Sequence, residues 1–195
     1  MSLGFSTSEA RSTSEILPYL KWNTQTGSLF RIARVRNASG SYDRDETSIS
    51  LPTKMVFDMA NIEAGWLAFI NGAPDFHLVK VGSTMPNQPS EEHNKAFRVR
   101  VHNKEIGWCE FSSSAKTVVA AMETLHNAYE AEFNANVGNM PVVEIAGSDT
   151  IKLSTPQGEK RFKALRWHIT AWVPANKVPP ITPAAADSEE DDDLF

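Results

Sequence analysis

Apolar and polar residues alternate most cleanly over Lys95–Asn103 and Phe162–Val173. In the first stretch Phe97, Val99 and Val101 fall on one side and Arg98, Arg100 and His102 on the other. In the second, Leu165, Trp167, Ile169, Ala171 and Val173 share one side, opposite Arg166, His168, Thr170 and Trp172. A period of two is that of a half-buried strand. Shorter apolar runs bounded by Pro, Gly, Asn and Asp predict further strands at Leu29–Arg36, Thr53–Met59, Trp66–Ile70, Phe76–Val81, Val142–Ala146 and Ile151–Leu153. Ordered structure is expected to begin near Ile16 and run through Trp22, with Asn23–Gly27 as a turn. Asn37–Asp45 and Gly82–Asn94 read as polar loops.

The period changes once. Val118, Met122, Leu125, Tyr129 and Phe133 recur at three- to four-residue spacing, the stripe of an amphipathic helix. Ser114 is its expected N-cap. Gly138 and Pro141 supply the stop beyond it. The helix stripe and the apolar runs carrying Phe57, Trp66, Phe69 and Trp108 are expected to be core. The layout is mainly β in an α+β sense. It is compatible with an OB-fold-like five-stranded Greek-key barrel carrying one helix and extra hairpins.

Composition adds little until charge is resolved along the chain. The 195 residues are 41% hydrophobic and 22% charged, ordinary for a globular protein. Cys109 is the single cysteine, which excludes an internal disulfide and a CxxC zinc site. The Ser/Thr-rich start does not read as a secretory signal, and no apolar run is long enough to span a bilayer. A soluble cytoplasmic protein is the expectation. The formal net charge is −5, yet Asp187, Glu189, Glu190, Asp191, Asp192 and Asp193 supply six acids without a base. Without them the body is nearly neutral. The chain thus divides into an N-terminal arm (1–15), a domain (16–173), a Pro/Ala-rich linker (174–186) and an acidic tail (187–195). Such segregation of charge points to a nucleic-acid context.

The tail ends Asp191-Asp192-Asp193-Leu194-Phe195. Acids this dense repel one another and predict no packed structure. A solubilising tail needs no apolar tip, whereas a docking peptide does: Phe195 can fill a pocket while the acids meet cations on a partner. These residues resemble the C-terminal peptide of single-stranded DNA-binding proteins of bacteria and bacteriophages, OB-fold domains with a flexible linker and an acidic tail ending in Phe. Leu194 stands where the bacterial form has Pro, and the linker is short; both departures point toward the phage versions. The resemblance covers about the last twenty residues. It implies a non-enzymatic protein that coats single-stranded DNA during replication, recombination and repair. It further implies that the tail competes with DNA for a basic groove and recruits replication proteins.

Single-strand binding needs cations for phosphates and flat rings for bases. The candidate residues are Lys21, Trp22, Arg31, Arg34 and Arg36 early in the chain, then Arg98, Arg100 and His102. Lys163, Arg166, His168 and Trp172 follow on the last strand. Half-buried strands carry polar residues on their solvent face whether or not they bind anything, so the repetition of Arg on three strands is the stronger signal. No P-loop or GxGxxG is present, the five histidines lack metal-ligand spacing, and no cofactor or metal is expected. Two other readings stand beside this one. One is a phage structural or assembly protein with a solubilising tail. The other is a metal-dependent nuclease using Asp43, Asp45 and Glu46.

Overall fold

The computed structural model describes residues 17–155 and 158–181. Ten strands and one α-helix appear among them. The strands are β1 (Tyr19–Asn23), β2 (Ser28–Arg36), β3 (Tyr42–Ile49), β4 (Thr53–Phe57), β5 (Glu63–Ile70), β6 (Ala73–Lys80), β7 (Asn94–Asn103), β8 (Gly107–Ser113), β9 (Asn139–Thr155) and β10 (Gly158–Pro174); the helix α1 (Lys116–Phe133) lies between β8 and β9. The mainly β class is as expected. The five-strand count is not, because the hairpins join the same sheet.

The strands form one mixed sheet in the order β10-β9-β4-β7-β8-β1-β2-β3. The β5–β6 hairpin attaches to the N-terminal half of β7, whose C-terminal half pairs with β4. All pairings are antiparallel except β1 with β8. The sheet is not closed by a continuous ladder. It curls far enough that β10 meets the β1–β2 turn: the Lys163 amide donates to Thr24 O at 2.6 Å, and Trp22 Nε1 donates to Lys163 O at 3.0 Å. Gly27 makes this approach feasible. It has φ +74°, and a Cβ there would stand 2.6 Å from Ser148 Oγ.

The curl wraps a core built from the inward residues of alternating strands. Leu20, Leu29, Phe57, Val101, Phe111, Val143 and Ile145 are each almost wholly buried. α1 covers the core with the expected stripe, burying Val118, Met122, Leu125 and Tyr129. Each such side chain stabilises the fold by roughly 1.5–3 kcal/mol. Trp167 locks sheet to helix. Its ring meets Phe57 and Phe111 edge-on at 5.8 and 5.9 Å, and its Nε1 donates to Ala121 O at 3.1 Å. The helix starts two residues after the expected cap: Ser113 Oγ, not Ser114, accepts a backbone N–H there, from Ala115. Phe133, expected in the core, is 38% exposed at the last turn.

β10 ends at Pro174, as expected. A short 3₁₀ turn (Ala175–Lys177) follows, and the chain then returns to the body, where Trp108 Nε1 donates to Pro179 O at 2.8 Å. The acidic tail, the rest of the linker and the N-terminal arm lie outside the described residues.

Candidate nucleic-acid interface

Register determines which side chains share the sheet face that points away from the core. Arg100 pairs with Glu110 and His102 with Trp108 across β7 and β8. Glu110 pairs with Tyr19 on β1. Tyr19 and Lys21 pair with Ile32 and Phe30 on β2, and Arg34 and Arg36 with Arg44 and Tyr42 on β3. Directly paired residues lie on one face of a sheet. Arg100, His102, Trp108, Tyr19, Lys21, Phe30, Arg34, Arg36 and Tyr42 therefore share one band over five adjacent strands, together with Glu110, Arg44, Glu46 and the buried Ile32. The alternation of each strand produces it: Leu20, Leu29, Val101 and Phe111, their inward neighbours, are buried.

Cations and rings predominate along this band, with Glu110 and Glu46 the acids among them. Lys21, Arg34, Arg36 and Arg100 are exposed and make no ion pair with a described residue. Tyr19 and Tyr42 are 39% and 62% exposed. His102 lies against Trp108, with ring centroids 5.3 Å apart, and burial lowers its pKa from the ordinary value of 6.5. A groove beside His102 is lined by Lys54, Lys104 and Lys177, although Lys54 also pairs with Glu144 at 3.4 Å.

Other expected site residues are engaged elsewhere. Trp22 is a core residue, 8% exposed, because β1 alternates so that Leu20 and Trp22 face inward. Arg31 shares that inward side; its Nε is buried with no hydrogen-bond partner among the described residues. Arg98 is half-buried, bonded through Nε to Glu63 Oε2 at 2.5 Å and stacked over Phe76 at 5.3 Å. The β5–β6 hairpin covers that end of β7 and takes Arg98 out of the free ladder. Trp172 stacks on Tyr129 at 5.7 Å and donates to Glu132 Oε2 at 2.9 Å. A register shift at Thr170 turns it to the side of Trp167, which α1 covers, so it is no open platform.

Lys163, Arg166 and His168 sit on β10, at the far edge of the sheet from β3. Lys163 Nζ donates to Thr150 Oγ1 at 2.8 Å, Arg166 pairs with Asp149 at 3.3 Å, and His168 is exposed. The long β9–β10 hairpin adds Lys152, Lys160 and Arg161, which strand alternation did not single out; all three are exposed. Their signal in the sequence is the run Glu159-Lys160-Arg161-Phe162-Lys163, which the surrounding pattern places on a hairpin arm. Asp43, Asp45 and Glu46 do not converge. Glu46 lies on the opposite face of β3 from the two aspartates and pairs with Arg44 at 2.6 Å. A different group does converge, Asp75, His77 and His93, on the hairpin side of the sheet.

The fold and band define a mainly β protein with an exposed basic-aromatic sheet face. Compared with protein-family models, curated proteins and solved structures, the chain gives no match.

Proposed function

We propose that this protein binds single-stranded DNA without enzymatic turnover, and that the band across β7, β8, β1, β2 and β3 is where the strand lies. The observation that carries this reading is the interleaving of Lys21, Arg34 and Arg100, free of ion pairs with described residues, with Tyr19, Phe30 and Trp108 on one face. Phosphates take the cations and bases take the rings; such a surface favours flexible single strands, whose bases are free to stack.

Topology lends support. β4, β7, β8, β9 and β10 occur in that chain order with α1 between the third and fourth, and β4 is flanked by β9 and β7. That order supports an OB-fold reading, in which β1 would stand between the third and fifth strands and the β5–β6 hairpin would be an insertion. OB-folds bind oligonucleotides on the outer face of their second and third strands, here β7 and β8.

The return of the chain to Trp108 supports a role for the acidic tail. Pro179 touches the band, and Asp187 follows eight residues later, a reach of about 26 Å when extended. In this reading residues 187–193 compete with DNA for the cations, and Leu194-Phe195 engage replication or recombination proteins once DNA displaces the tail. Coating of single strands in a phage-infected bacterial cell is the setting that the tail's likeness implies.

The test is fluorescence anisotropy of labelled single- and double-stranded oligonucleotides at two salt concentrations. Single strands should bind more tightly, and affinity should fall steeply with salt as counterions are released. Deletion of 187–195 should tighten binding. Equal affinity for duplex, or no binding to either, would refute the reading.

A further inference from the structure

His93 is the one buried polar residue outside the apolar core among the described residues, 4% exposed. It ends the segment that follows β6 and folds back over that strand. Asp75 and His77 lie two residues apart on β6 and therefore on the same side of it. Nε2 of His93 is 3.2 Å from Asp75 Oδ2, and Nε2 of His77 is 3.2 Å from Asp75 Oδ1. The two imidazoles meet edge-on, centroids 5.2 Å apart. The donor atoms of all three side chains lie within 4.8 Å of one another.

We propose that Asp75, His77 and His93 bind one divalent transition-metal ion of the zinc class, which clamps the segment from Val81 to His93 onto β6. Two imidazole nitrogens and a carboxylate suit zinc and its neighbours, whereas magnesium and calcium prefer oxygen donors throughout. Tetrahedral bonds of about 2.0–2.1 Å place donor atoms about 3.3 Å apart. The two 3.2 Å separations, one to each carboxylate oxygen, are close to that edge. A simple Asp–His ion pair accounts for one imidazole aimed at the carboxylate; here two are.

The surroundings hold His93 in a ligand's posture. Its Nδ1 is 2.8 Å from Ser90 Oγ. With the ring proton on Nδ1 donated to that oxygen, the Nε2 lone pair is free for the ion, the outer-shell arrangement that orients metal-bound histidines. Gln88 Nε2 donates to His93 O at 2.7 Å, and Trp66 Nε1 donates to Pro86 O at 2.8 Å. These bonds position the segment before any ion arrives. The side chains of Asp75 and His77 are 45% and 42% exposed, which gives the ion a path from solvent and leaves water to complete its shell. Phe76, between them in sequence, faces the other side of β6 and packs on Arg98. Metal binding is thus separate from the DNA-binding band.

Isothermal titration of the chelator-treated full chain with zinc chloride, and in parallel with magnesium chloride, tests this. One zinc per chain is expected, with no comparable magnesium heat. His77→Ala, Asp75→Asn and Ser90→Ala should each weaken zinc binding by about tenfold or more. His77 and Asp75 are exposed enough for their variants to fold, which circular dichroism verifies. Zinc should raise the melting temperature of the parent chain and not that of His77→Ala. Absence of stoichiometric zinc binding would overturn the proposal. So would zinc binding unchanged by His77→Ala and Asp75→Asn, which would place the ion on other carboxylates such as those of the tail. Neither result depends on whether DNA binds.

Discussion

Trp172 on the last strand stacks on Tyr129 of the helix, rings 5.7 Å apart and 28° from parallel. Trp172 Nε1 also donates to Glu132, one turn on from Tyr129. The pair fastens the C-terminal half of β10 to α1. Trp172→Ala removes a half-buried ring and a hydrogen bond, which should cost about 2–3 kcal/mol, below the ~3–5 kcal/mol of a fully buried aromatic. Urea denaturation measures this. Single-strand affinity below the melting transition should stay unchanged, since Trp172 lies outside the band. A large loss of affinity in a well-folded Trp172→Ala protein would move the DNA site to β10.

The band makes the opposite prediction. Lys21→Ala, Arg34→Ala and Arg100→Ala should leave stability nearly intact, because none has an ion-pair partner among the described residues. Each should lower the salt dependence of single-strand binding by about 0.7 in log–log slope, one phosphate contact. Tyr19→Ala should lose roughly 1–3 kcal/mol of binding if a base stacks there. Arg98→Ala is the contrast. It strands Glu63 in a half-buried setting, so its main effect should be on stability. Anisotropy and urea titrations on the same five variants separate the two behaviours.

Why Arg98 and Arg100 differ could not be read from their own strand. Both occupy the polar side of the same alternation. The difference is the β5–β6 hairpin, which pairs Glu63 with Arg98 and stops short of Arg100. Long-range pairing of this kind leaves no local trace. β7, with its clear period-two pattern, was legible almost to its ends, as was the helix stripe; β10 was legible from Phe162 to Ile169, beyond which a bulge at Thr170 shifts the alternation and turns Trp172 towards α1. β3 was not: Tyr42–Ile49 is a strand of exposed polar residues at the sheet edge, with no apolar face to betray it. β8 was missed for a related reason: Cys109 and Phe111 face inward, but Trp108 on the outward side with Glu110 and Ser112 blurs the alternation. The inward turn of Trp22 follows from the phase of a five-residue strand, too short for the pattern to declare itself. The meeting of His77 with His93 depends on a loop returning over β6, which spacing along the chain conceals.

Cys109 is fully buried, and burial raises its thiol pKa, with the nearby Arg31 guanidinium acting in the other direction. A thiol that is both inaccessible and protonated is inert. An aromatic disulfide reagent at mildly alkaline pH should therefore label the folded protein very slowly and the urea-unfolded protein at once. The labelling rate in dilute denaturant then reports opening of the core between β8 and α1. Fast labelling of the native chain would show that the core beneath Arg31 opens locally.

His102 gives the band a pH response with two opposed signs. Burial against Trp108 holds its pKa below the ordinary value of 6.5. The unfolded chain then takes up this proton more readily than the folded one, so the contribution of His102 to stability is complete above about pH 6.5. That contribution is lost as the pH falls through the folded value. DNA reverses the preference. A strand lying on the band favours the imidazolium, which adds a cation beside Arg100, so affinity should rise as stability falls. Anisotropy titrations across that pH range should show tighter binding at the acidic end and a salt slope steeper by up to about 0.7. His102→Gln should bind with little pH dependence while Lys21→Ala retains the full response. A pH profile identical in the parent and His102→Gln would place His102 away from the bound phosphates, and with it the C-terminal half of β7.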